Sequence, residues 1–566
     1  MRATAAIFYH PEGFDTSGSK LMGRQAAGEA FLKAYAEHGG VSQLYCYTKS
    51  EAMFSNFRER LTRLTGGERA AQSAEWIPHH QPNELAKAGC LFVPGPNTAD
   101  LAWQRRHFDV RGYSICGVTH TTASEGIMDS IGDLMVAPYQ SWDAVICTSE
   151  AVRETYRQVL GDWADYLAER TRGIANAPVQ LPIIPLGIDC ATLRAEGKAD
   201  AWRKEWRERL EIGDEDIVLL FMGRLSYHAK AHPLPMYLGL ENAARESKRK
   251  IHLIQAGWFA NDSIEKAFKA SARSICPSVN AHFLDGRDGH VRESLWYAAD
   301  IFTSLSDNIQ ESFGLTPLEA MATGLPVVVS DWNGYRDTIV DGETGIAVPT
   351  VSLPPGMGGE FAFRHAAGLD SYDRYLGHAS LCTSIDAGAC ARAYLRLIED
   401  AELRRKMGAA GQRHATEKFD WQVVVAAYQA LWDSLSARRR SAAIVADRAE
   451  NSPANPLRND PFALFAGYPT AYLDGKARIA LNPGAAQNWF KTIRKDPMVS
   501  FASYMFLSDD ETDKLLERLD EMGECDINAV LAASPPESQG LVHRTLAWLT
   551  KLNVLRIVSA RKRTGG

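Results

Sequence analysis

The chain contains 566 residues, of which 45% are hydrophobic and 23% are charged, with a formal net charge of −7 at pH 7. This composition describes a globular protein that is long enough for two or three domains, each with its own hydrophobic core. The net charge gives no overall attraction to nucleic acid, although a local basic patch stays possible.

Two features of the sequence bear on the cellular compartment. The nine cysteines are scattered and form no C-x-x-C pair, which predicts reduced thiols in the cytosol and argues against a zinc site. No stretch approaches 18 apolar residues, and the apolar run at the amino terminus is too short for a signal peptide. We therefore predict a cytoplasmic protein. Peripheral contact with the inner face of a membrane, through residues 438–440, stays an open alternative.

In chain order, the first part of the sequence alternates between predicted strands and helices. Residues 4–9 form the first predicted strand, and a loop that contains Gly18 leads into a helix that ends at residues 39–40. Further strands are predicted at residues 41–47, 76–79, 90–94, 113–120 and 143–148. This alternation is typical of a parallel α/β sheet. His120 ends one of these strands, where a ligand or a purely structural partner can meet it.

The second part of the sequence repeats the pattern. A buried strand at residues 217–222 ends in Gly223 and Arg224, and Lys230 follows six residues after the arginine. Cations at a strand end can stabilise the negative charge that grows on a leaving phosphate, although a solvated pair of surface cations is the alternative. Further strands are predicted at residues 251–257, 281–286 and 301–305, and a glycine-rich surface loop is predicted at residues 353–363.

The pattern predicts four segments. Residues 1–190 and 191–437 form two Rossmann-like domains, and residues 438–456 form a polar linker. Residues 457–566 form an accessory domain, mostly helical and of unknown role, which resembles no family known to us. A winged-helix-like or docking domain fits its helices and short strand. A module for a protein partner or for self-association is favoured over DNA binding.

The stretch from residue 304 to residue 349 carries the strongest chemical signal. A polar loop that contains Glu311 follows a strand, and a helix is predicted to begin with Thr316 as N-cap and Pro317 at the first helical position. Glu319 lies three residues after this cap, so it fits the structural glutamate of a capping box. Because a further strand follows the helix, Glu311 lies at the carboxyl edge of a parallel sheet, where ligands bind.

The two glutamates also allow a functional interpretation. Glu311 and Glu319 are eight residues apart and can both face the crevice at the sheet edge. Carboxylates accept hydrogen bonds from vicinal hydroxyls, so this pair suits a polyol or a sugar. The helix amino terminus beside them favours an anion such as a phosphate.

The motif itself resembles that of a known family. The segment ESFGLTPLEAMATGLP, residues 311–326, resembles the two-glutamate signature of the family 4 retaining glycosyltransferases, as do DWNGYRD and DGETG in residues 331–345. The resemblance implies the GT-B fold, in which two Rossmann-like, doubly wound parallel-sheet domains face each other across a cleft. It implies that Glu311 lies beside the ring hydroxyls of a donor sugar and that Glu319 holds the ribose of its nucleotide.

The same resemblance implies roles for residues outside the motif. His120 is expected to contact the donor sugar, and Arg224 and Lys230 are expected to bind its diphosphate. Lys230 follows Arg224 at six residues rather than the usual five, so either the loop bulges or Lys230 is displaced. The candidate catalytic residues are therefore Glu311, Arg224, Lys230 and His120. The candidate donor-binding residues are Glu319, Gly18, Gly223, Phe313, Gly314, Leu315 and Thr316.

The implied activity is retaining transfer of a sugar from a nucleotide-diphosphate sugar to an acceptor hydroxyl, in glycan, polysaccharide or glycolipid synthesis. The resemblance implies no metal and no cofactor, with the nucleotide sugar as co-substrate and an unnamed glycan, lipid or protein as acceptor. One alternative is another enzyme on the same fold, such as a phosphorylase, which a ribose-binding Glu319 disfavours because a glycosyl phosphate has no ribose. Another is a catalytically silent nucleotide-sugar or glycan-binding protein that acts through its C-terminal module.

Overall fold

The computed structural model describes residues 3–16, 23–483 and 486–562. The chain divides into two compact units, Met1–Glu450 and Asn451–Gly566. The predicted donor-binding residue Gly18 lies outside the described residues. A search of the described helices for one that could cross a lipid bilayer finds none.

The first unit contains two six-stranded sheets. The strands of the first sheet are β1 (Ala6–Phe8), β2 (Leu44–Thr48), β3 (Ala74–Pro78), β4 (Cys90–Val93), β5 (Ser114–Val118) and β6 (Ala144–Ile146). Those of the second sheet are β7 (Ile217–Met222), β8 (Ile251–Gly257), β9 (Asn280–Asp285), β10 (Ile301–Ser304), β11 (Val327–Ser330) and β12 (Gly345–Val348). All neighbouring strands within each sheet are parallel.

The helices of this unit connect and cover the strands. They are α1 (Gly23–His38), α2 (Glu51–Thr65), α3 (Arg69–Gln72), α4 (Ala99–Arg105), α5 (Glu125–Val136), α6 (Glu150–Thr171), α7 (Cys190–Leu193), α8 (Ala199–Arg209), α9 (Leu234–Glu246), α10 (Asp262–Ile275), α11 (Gly289–Ser294), α12 (Leu315–Ala322), α13 (Tyr335–Thr338), α14 (Gly359–Ala366), α15 (Tyr372–Leu381), α16 (Ala387–Glu399), α17 (Ala401–Phe419) and α18 (Trp421–Ser441). Short 3-10 helices lie at Pro11–Gly13, Pro82–Lys87 and Leu295–Ala298.

The strand order confirms the predicted fold class. It is β3-β2-β1-β4-β5-β6 in the first sheet and β12-β11-β10-β7-β8-β9 in the second. Each order starts in the middle, runs to one edge and then reverses, which is the doubly wound Rossmann-like arrangement. Two such sheets with helices on both faces form the GT-B fold. In the second sheet the order reverses between β7 and β10, and a ligand crevice forms at the carboxyl ends of such strands.

Apolar strands fill the middle of each sheet. Every residue of β7 is buried, as expected for a central parallel strand whose two faces are covered by helices. The last long helix, α18, packs its Trp421, Tyr428 and Trp432 into the core of the first sheet, against Phe31 and other side chains. The chain therefore returns to brace its first sheet, and the helix continues to residue 441, past the start of the predicted linker.

The segment between β12 and α16 is a folded hairpin. The surface loop predicted at residues 353–363 is observed for residues 353–358, which are exposed, but residues 359–363 form the start of α14. Two short strands, β13 (Thr350–Val351) and β14 (Ser384–Ile385), pair antiparallel at its base. Between them α14 packs against α15. We call residues 350–385 the insert hairpin.

The second unit has its own core. Its strands are β15 (Ala471–Tyr472), β16 (Arg478–Leu481), β17 (Cys525–Asp526), β18 (Leu555–Ser559) and β19 (Arg561–Lys562). Its helices are α19 (Pro461–Leu464), α20 (Ala486–Ile493), α21 (Pro497–Ser500), α22 (Asp509–Met522), α23 (Ile527–Ala532) and α24 (Gln539–Lys551), with 3-10 turns at Ser503–Met505 and Pro536–Ser538. An antiparallel sheet of order β17-β16-β18 packs on α22 and α24 through buried Ile479, Leu516 and Leu546.

Candidate active site

The candidate site lies where the strand order of the second sheet reverses. β7 and β10 are neighbours, and Phe302 of β10 lies opposite Leu220 of β7. The loop after β7 carries Arg224 and Lys230, and the loop after β10 carries Glu311. Because parallel strands end at the same edge of a sheet, residues far apart in the chain meet in one crevice.

An ion pair joins the two loops. Lys230 Nζ donates to Glu311 Oε2, and both side chains are largely buried, with exposed fractions of 25% and 9%. Burial would lower the pKa of Lys230, but the Glu311 carboxylate outweighs it, so this pKa is raised. Burial would likewise raise the pKa of Glu311, but Lys230 and the backbone N–H groups of Ser312 and Phe313 outweigh it, so this pKa is lowered. Each partner therefore keeps the other charged.

Arg224 lies beside this pair. Its Nη2 donates to Gln310 Oε1 at 2.8 Å and to the carbonyl oxygen of Ala229 at 2.5 Å. Burial lowers the pKa of this arginine from its ordinary high value, which leaves it a cation at any physiological pH. The crevice thus holds two cations and one carboxylate, a set that suits a ligand with both a phosphate and hydroxyl groups.

The long spacing from Arg224 to Lys230 is absorbed by a turn. The backbone N–H groups of Lys230 and Ala231 both donate to the carbonyl oxygen of Ser226, at 3.1 and 3.2 Å. Ser306 Oγ donates to the carbonyl oxygen of Lys230 at 3.1 Å, which fixes the end of the turn against the β10 loop. Of the two alternatives that the sequence left open, the bulged loop is the one observed, and Lys230 still reaches Glu311.

The helix after Glu311 begins earlier than predicted. α12 starts at Leu315, and its N-cap is Gly314, which has no side chain to cap it. Thr316 and Pro317 therefore lie inside the first turn, and Glu319 lies five residues past the N-cap rather than three. The capping-box interpretation of Glu319 was wrong because the left-handed backbone of Gly314, with φ of 95°, starts the helix two residues sooner.

Glu319 occupies a different environment from Glu311. Burial alone raises the pKa of its carboxyl group to about 7. A half-buried carboxyl group without a charge to offset its desolvation is a typical feature of a site that awaits a polar ligand. The observed N-cap excludes the capping-box role of Glu319, and the uncompensated burial of its carboxyl group fits a ligand-binding role.

The other residues of the motif shape the backbone. The Phe313 side chain is buried in the core and Leu315 packs against that core, so only their backbone groups can face a ligand. A Cβ atom on Gly314 would lie 2.0 Å from the ring of Tyr335, so this position accepts only glycine. Gly223 follows β7 directly, and its carbonyl oxygen would lie 1.9 Å from a Cβ atom on Gly257.

His120 lies after β5 of the first sheet. Its Nε2 is 3.2 Å from the carbonyl oxygen of Pro94. A different residue of the first half, Ser149, makes a direct contact with the Glu311 loop, since its hydroxyl donates to the carbonyl oxygen of Ser312 at 2.8 Å. Glu150 N also donates to Asp337 Oδ2, at 2.6 Å, so the two halves meet next to the motif.

Sequence reasoning missed several polar residues of the site. Asp307 is buried, accepts a hydrogen bond from the backbone N–H of His232 at 3.2 Å, and has a pKa that burial raises to about 7. Asn308 Nδ2 donates to the carbonyl oxygen of His228 at 2.8 Å. The polar run SDNIQ immediately before Glu311 was the available signal for both. Tyr335, whose hydroxyl lies 2.7 Å from Ser304 Oγ, gave no such signal.

Across residues 3–16, 23–483 and 486–562, no group of three or more histidine, cysteine, aspartate or glutamate side chains is arranged to hold a metal ion.

Two Rossmann-like sheets with a charged crevice of this kind are the features of the GT-B glycosyltransferases. Residues 203–352 of the chain match the sequence model of the glycosyl transferases group 1 family. That match covers β7 to β13 and includes the Arg224, Lys230 and Glu311 positions.

Individual relatives are 25–30% identical to the chain over the aligned residues. The D-inositol 3-phosphate glycosyltransferase of Corynebacterium efficiens is 27% identical over 293 residues, which cover 50% of this chain and 59% of that protein. The alpha-monoglucosyldiacylglycerol synthase of Streptococcus pneumoniae is 30% identical over 199 residues, 35% of this chain and 39% of that protein. The chain thus spans about half the length of these curated relatives.

Among solved structures, Anabaena HepE in complex with UDP aligns with a TM-score of 0.48 and 15% sequence identity. The alignment covers 77% of this chain and 100% of that one.

Proposed function

We propose that this protein is a retaining glycosyltransferase that moves a sugar from a nucleotide-diphosphate sugar to an acceptor hydroxyl. The observation that carries the proposal is the charged crevice between β7 and β10, in which Arg224 and the Lys230–Glu311 ion pair meet. The match of residues 203–352 to the glycosyl transferases group 1 model supports it.

The site residues have distinct chemical tasks in this reaction. When the bond between the sugar and the diphosphate breaks, negative charge grows on the leaving phosphate, and Arg224 and Lys230 stabilise it. Glu311 accepts hydrogen bonds from sugar hydroxyls and so orients the sugar, and Glu319 accepts those of the ribose. The ion pair holds both of its members in place before the donor binds, which lowers the cost of reorganisation during the reaction.

The stereochemistry is proposed from the same arrangement. The acceptor hydroxyl attacks from the face that the diphosphate leaves, and a phosphate oxygen takes its proton, so the configuration of the sugar is retained. We assign no protein carboxylate as a nucleophile, in contrast to the paired acids of glycoside hydrolases. We also propose that the reaction needs neither a metal nor a cofactor, because the two cations supply the charge that a metal would supply.

The acceptor is proposed by class only. The relatives named above are a D-inositol 3-phosphate glycosyltransferase and an alpha-monoglucosyldiacylglycerol synthase. An acceptor from glycan or glycolipid synthesis therefore fits this chain. No observation favours the silent binding protein over the transferase.

The test is a donor screen followed by two substitutions. Purified protein is mixed with UDP-, GDP- and ADP-sugars, and both the thermal shift and the release of nucleoside diphosphate are measured. We expect one donor to stabilise the protein and to be cleaved slowly. Arg224→Ala and Glu311→Gln should each lower turnover at least ~100-fold in a protein that still folds.

Arg249→Ala is the control for Arg224→Ala. Arg249 precedes β8, so it lies at the opposite edge of the sheet, where it pairs with Glu215 at 2.8 Å and is well exposed. Its loss should leave turnover within about twofold, since exposed ion pairs contribute little. Turnover that survives in both site variants would refute the assignment, and a protein that neither binds nor cleaves any donor would favour the silent binder.

A further inference from the structure

The insert hairpin packs directly over the candidate site. Leu376 of α15 is buried together with Ala229, from the loop after β7, and Ala123, from the loop after β5, and Ile309 adds to this cluster. At the other end of α15, Ser380 supports the buried carboxyl group of Asp307 by a hydrogen bond. Helix α15, which is not part of the doubly wound sheet, therefore contacts three strand-end loops, and each of them carries a candidate catalytic residue.

The first turn of α15 carries Tyr372, which packs against the cluster of Leu376, Ala229 and Ala123. The side chains of Thr121 and Gln310 lie beside its hydroxyl, and the charge of Arg224 acts on it. Thr121 is the neighbour of His120 in the chain, and Gln310 is both the neighbour of Glu311 and the side chain that accepts from Arg224 at 2.8 Å. Tyr372 thus lies among the groups assigned to the sugar and the diphosphate.

A second polar residue accompanies it. Asp373 Oδ2 is 3.9 Å from His228 Nε2, and its charge acts on Arg224. The carboxylate is therefore placed at the outer rim of the cation cluster, where it disfavours a second negative group on the ligand.

The hairpin is built to hold Tyr372 in one place. Arg364 Nε donates to the buried carboxylate of Asp370 at 2.6 Å, which ties α14 to the start of α15. Ser371 caps the helix through its hydroxyl, which accepts from the backbone N–H of Arg374. A side chain fixed on a braced helix is suited to discriminate between ligands.

We propose that Tyr372 is a specificity-determining residue that closes the sugar end of the donor site and selects a neutral sugar. A tyrosine ring covers the apolar C–H face of a sugar, and its hydroxyl bonds to a ring hydroxyl. Asp373 at the rim excludes sugars that carry a carboxylate. The inference rests on the proposed function, since it assumes a nucleotide-sugar donor.

Binding, rather than turnover, separates this role from a structural one. The affinities of UDP-glucose and UDP, and of GDP-mannose and GDP, are measured by calorimetry for the wild type and for Tyr372→Ala, Tyr372→Phe and Tyr375→Ala. In the proposed role Tyr372 binds the sugar and not the diphosphate, so Tyr372→Ala should weaken binding of the nucleotide sugar about tenfold or more and change binding of the free diphosphate less than about twofold. Tyr372→Phe keeps the ring and should lose only part of this effect.

Tyr375→Ala is the matched control, because it removes a tyrosine from the same helix that stacks on His365 within the hairpin. It should leave the ratio of the two affinities unchanged. Equal weakening of sugar nucleotide and diphosphate by Tyr372→Ala would show a structural role and overturn the proposal, as would no weakening at all. If the wild type binds neither these ligands nor any other nucleotide sugar of the donor screen, the proposed function itself fails, which is a distinct result.

A second comparison tests the neutral-sugar requirement. UDP-glucuronate should bind the wild type more weakly than UDP-glucose, and Asp373→Asn should reduce this difference. A wild type that prefers the uronate would overturn that part of the inference.

Discussion

The loop that carries Glu311 and the helix that carries Glu319 are adjacent in the chain, yet their surroundings shift the pKa values of the two carboxyl groups in opposite directions. Glu311 is paired with Lys230 and its pKa is lowered, whereas burial alone raises the pKa of Glu319 to about 7. The loop is also tied from several sides, since Trp332 Nε1 donates to the carbonyl oxygen of Asn308 at 3.0 Å and Asn333 Nδ2 donates to that of Glu311.

The difference indicates that the two glutamates are prepared for their ligands in different ways. The Glu311 loop is already charged and fixed, so a ligand meets a formed site. Glu319 has been desolvated without compensation, so a ligand that donates hydrogen bonds to it relieves an existing cost. Loss of one member of the Lys230–Glu311 pair should therefore destabilise the protein, whereas neutralisation of Glu319 should stabilise it.

The largest expected effect comes from breaking the pair on one side. Lys230→Met leaves the Glu311 carboxylate buried beside an apolar side chain, and we expect a loss of about 3 kcal/mol in the free energy of unfolding. The double variant Lys230→Met with Glu311→Gln removes both charges and should recover most of that stability, although turnover stays low. Urea denaturation of the wild type, both single variants and the double variant measures the coupling. Additive effects would show that the two charges do not depend on each other.

The second largest expected effect is the pH dependence of stability that Glu319 causes. Its pKa of about 7 in the folded protein lies above the ordinary value of 4.5, so the folded state binds a proton that the unfolded state releases. The stability from this proton is fully present below about pH 4.5 and is lost as pH rises through 7. Glu319→Gln stays neutral at every pH. As the pH rises from 5 to 8, the free energy of unfolding of this variant should therefore increase by roughly 1–2 kcal/mol relative to that of the wild type.

Urea denaturation at both pH values measures this gain, with Glu311→Gln as the control. Because that substitution removes the partner of Lys230, it should lower stability at both values. A Glu319→Gln variant that is less stable than the wild type at pH 8 would contradict the uncompensated burial of this residue.

The fold could be predicted from the sequence because its elements are local and repetitive. Short β-branched segments such as Val327–Ser330, separated by helices with glycine and proline at their ends, determine a parallel sheet with little ambiguity. The start of α12 was misjudged because Thr316 and Pro317 are good helix-start residues, whereas the backbone at Gly314 is set by its contact with Tyr335. That contact is not visible in the sequence.

The site was predictable only where a motif marks it. Arg224, Lys230 and Glu311 follow strand ends and could be named, and the structure brings them together. Tyr372 lies in the insert hairpin beyond the predicted loop, where no motif marks it, and it reaches the site only through the packing of Leu376. Asp307 lies in the polar run before Glu311, whereas Ser149 has no such signal, and the contacts of both depend on which loops meet in three dimensions.

The smallest effect concerns the contact between the first half and the Glu311 loop. Ser149 and Ser50 are matched residues, because each caps a helix with its hydroxyl, which accepts from a backbone N–H at 3.3 Å. Only Ser149 also donates to the carbonyl oxygen of Ser312, at 2.8 Å. Alanine at either position should cost about 1 kcal/mol through the lost cap.

Ser149→Ala should cost roughly 1 kcal/mol more than Ser50→Ala, because it also leaves the Ser312 carbonyl without this donor. Since the loop then loses a support next to Glu311, Ser149→Ala should lower turnover severalfold, whereas Ser50→Ala should not change it. Denaturation midpoints and turnover of both variants are the measurements. Equal losses of stability with unchanged turnover would mean that the loop is held by Trp332 and Asn333 alone, and that the first half does not help to position Glu311.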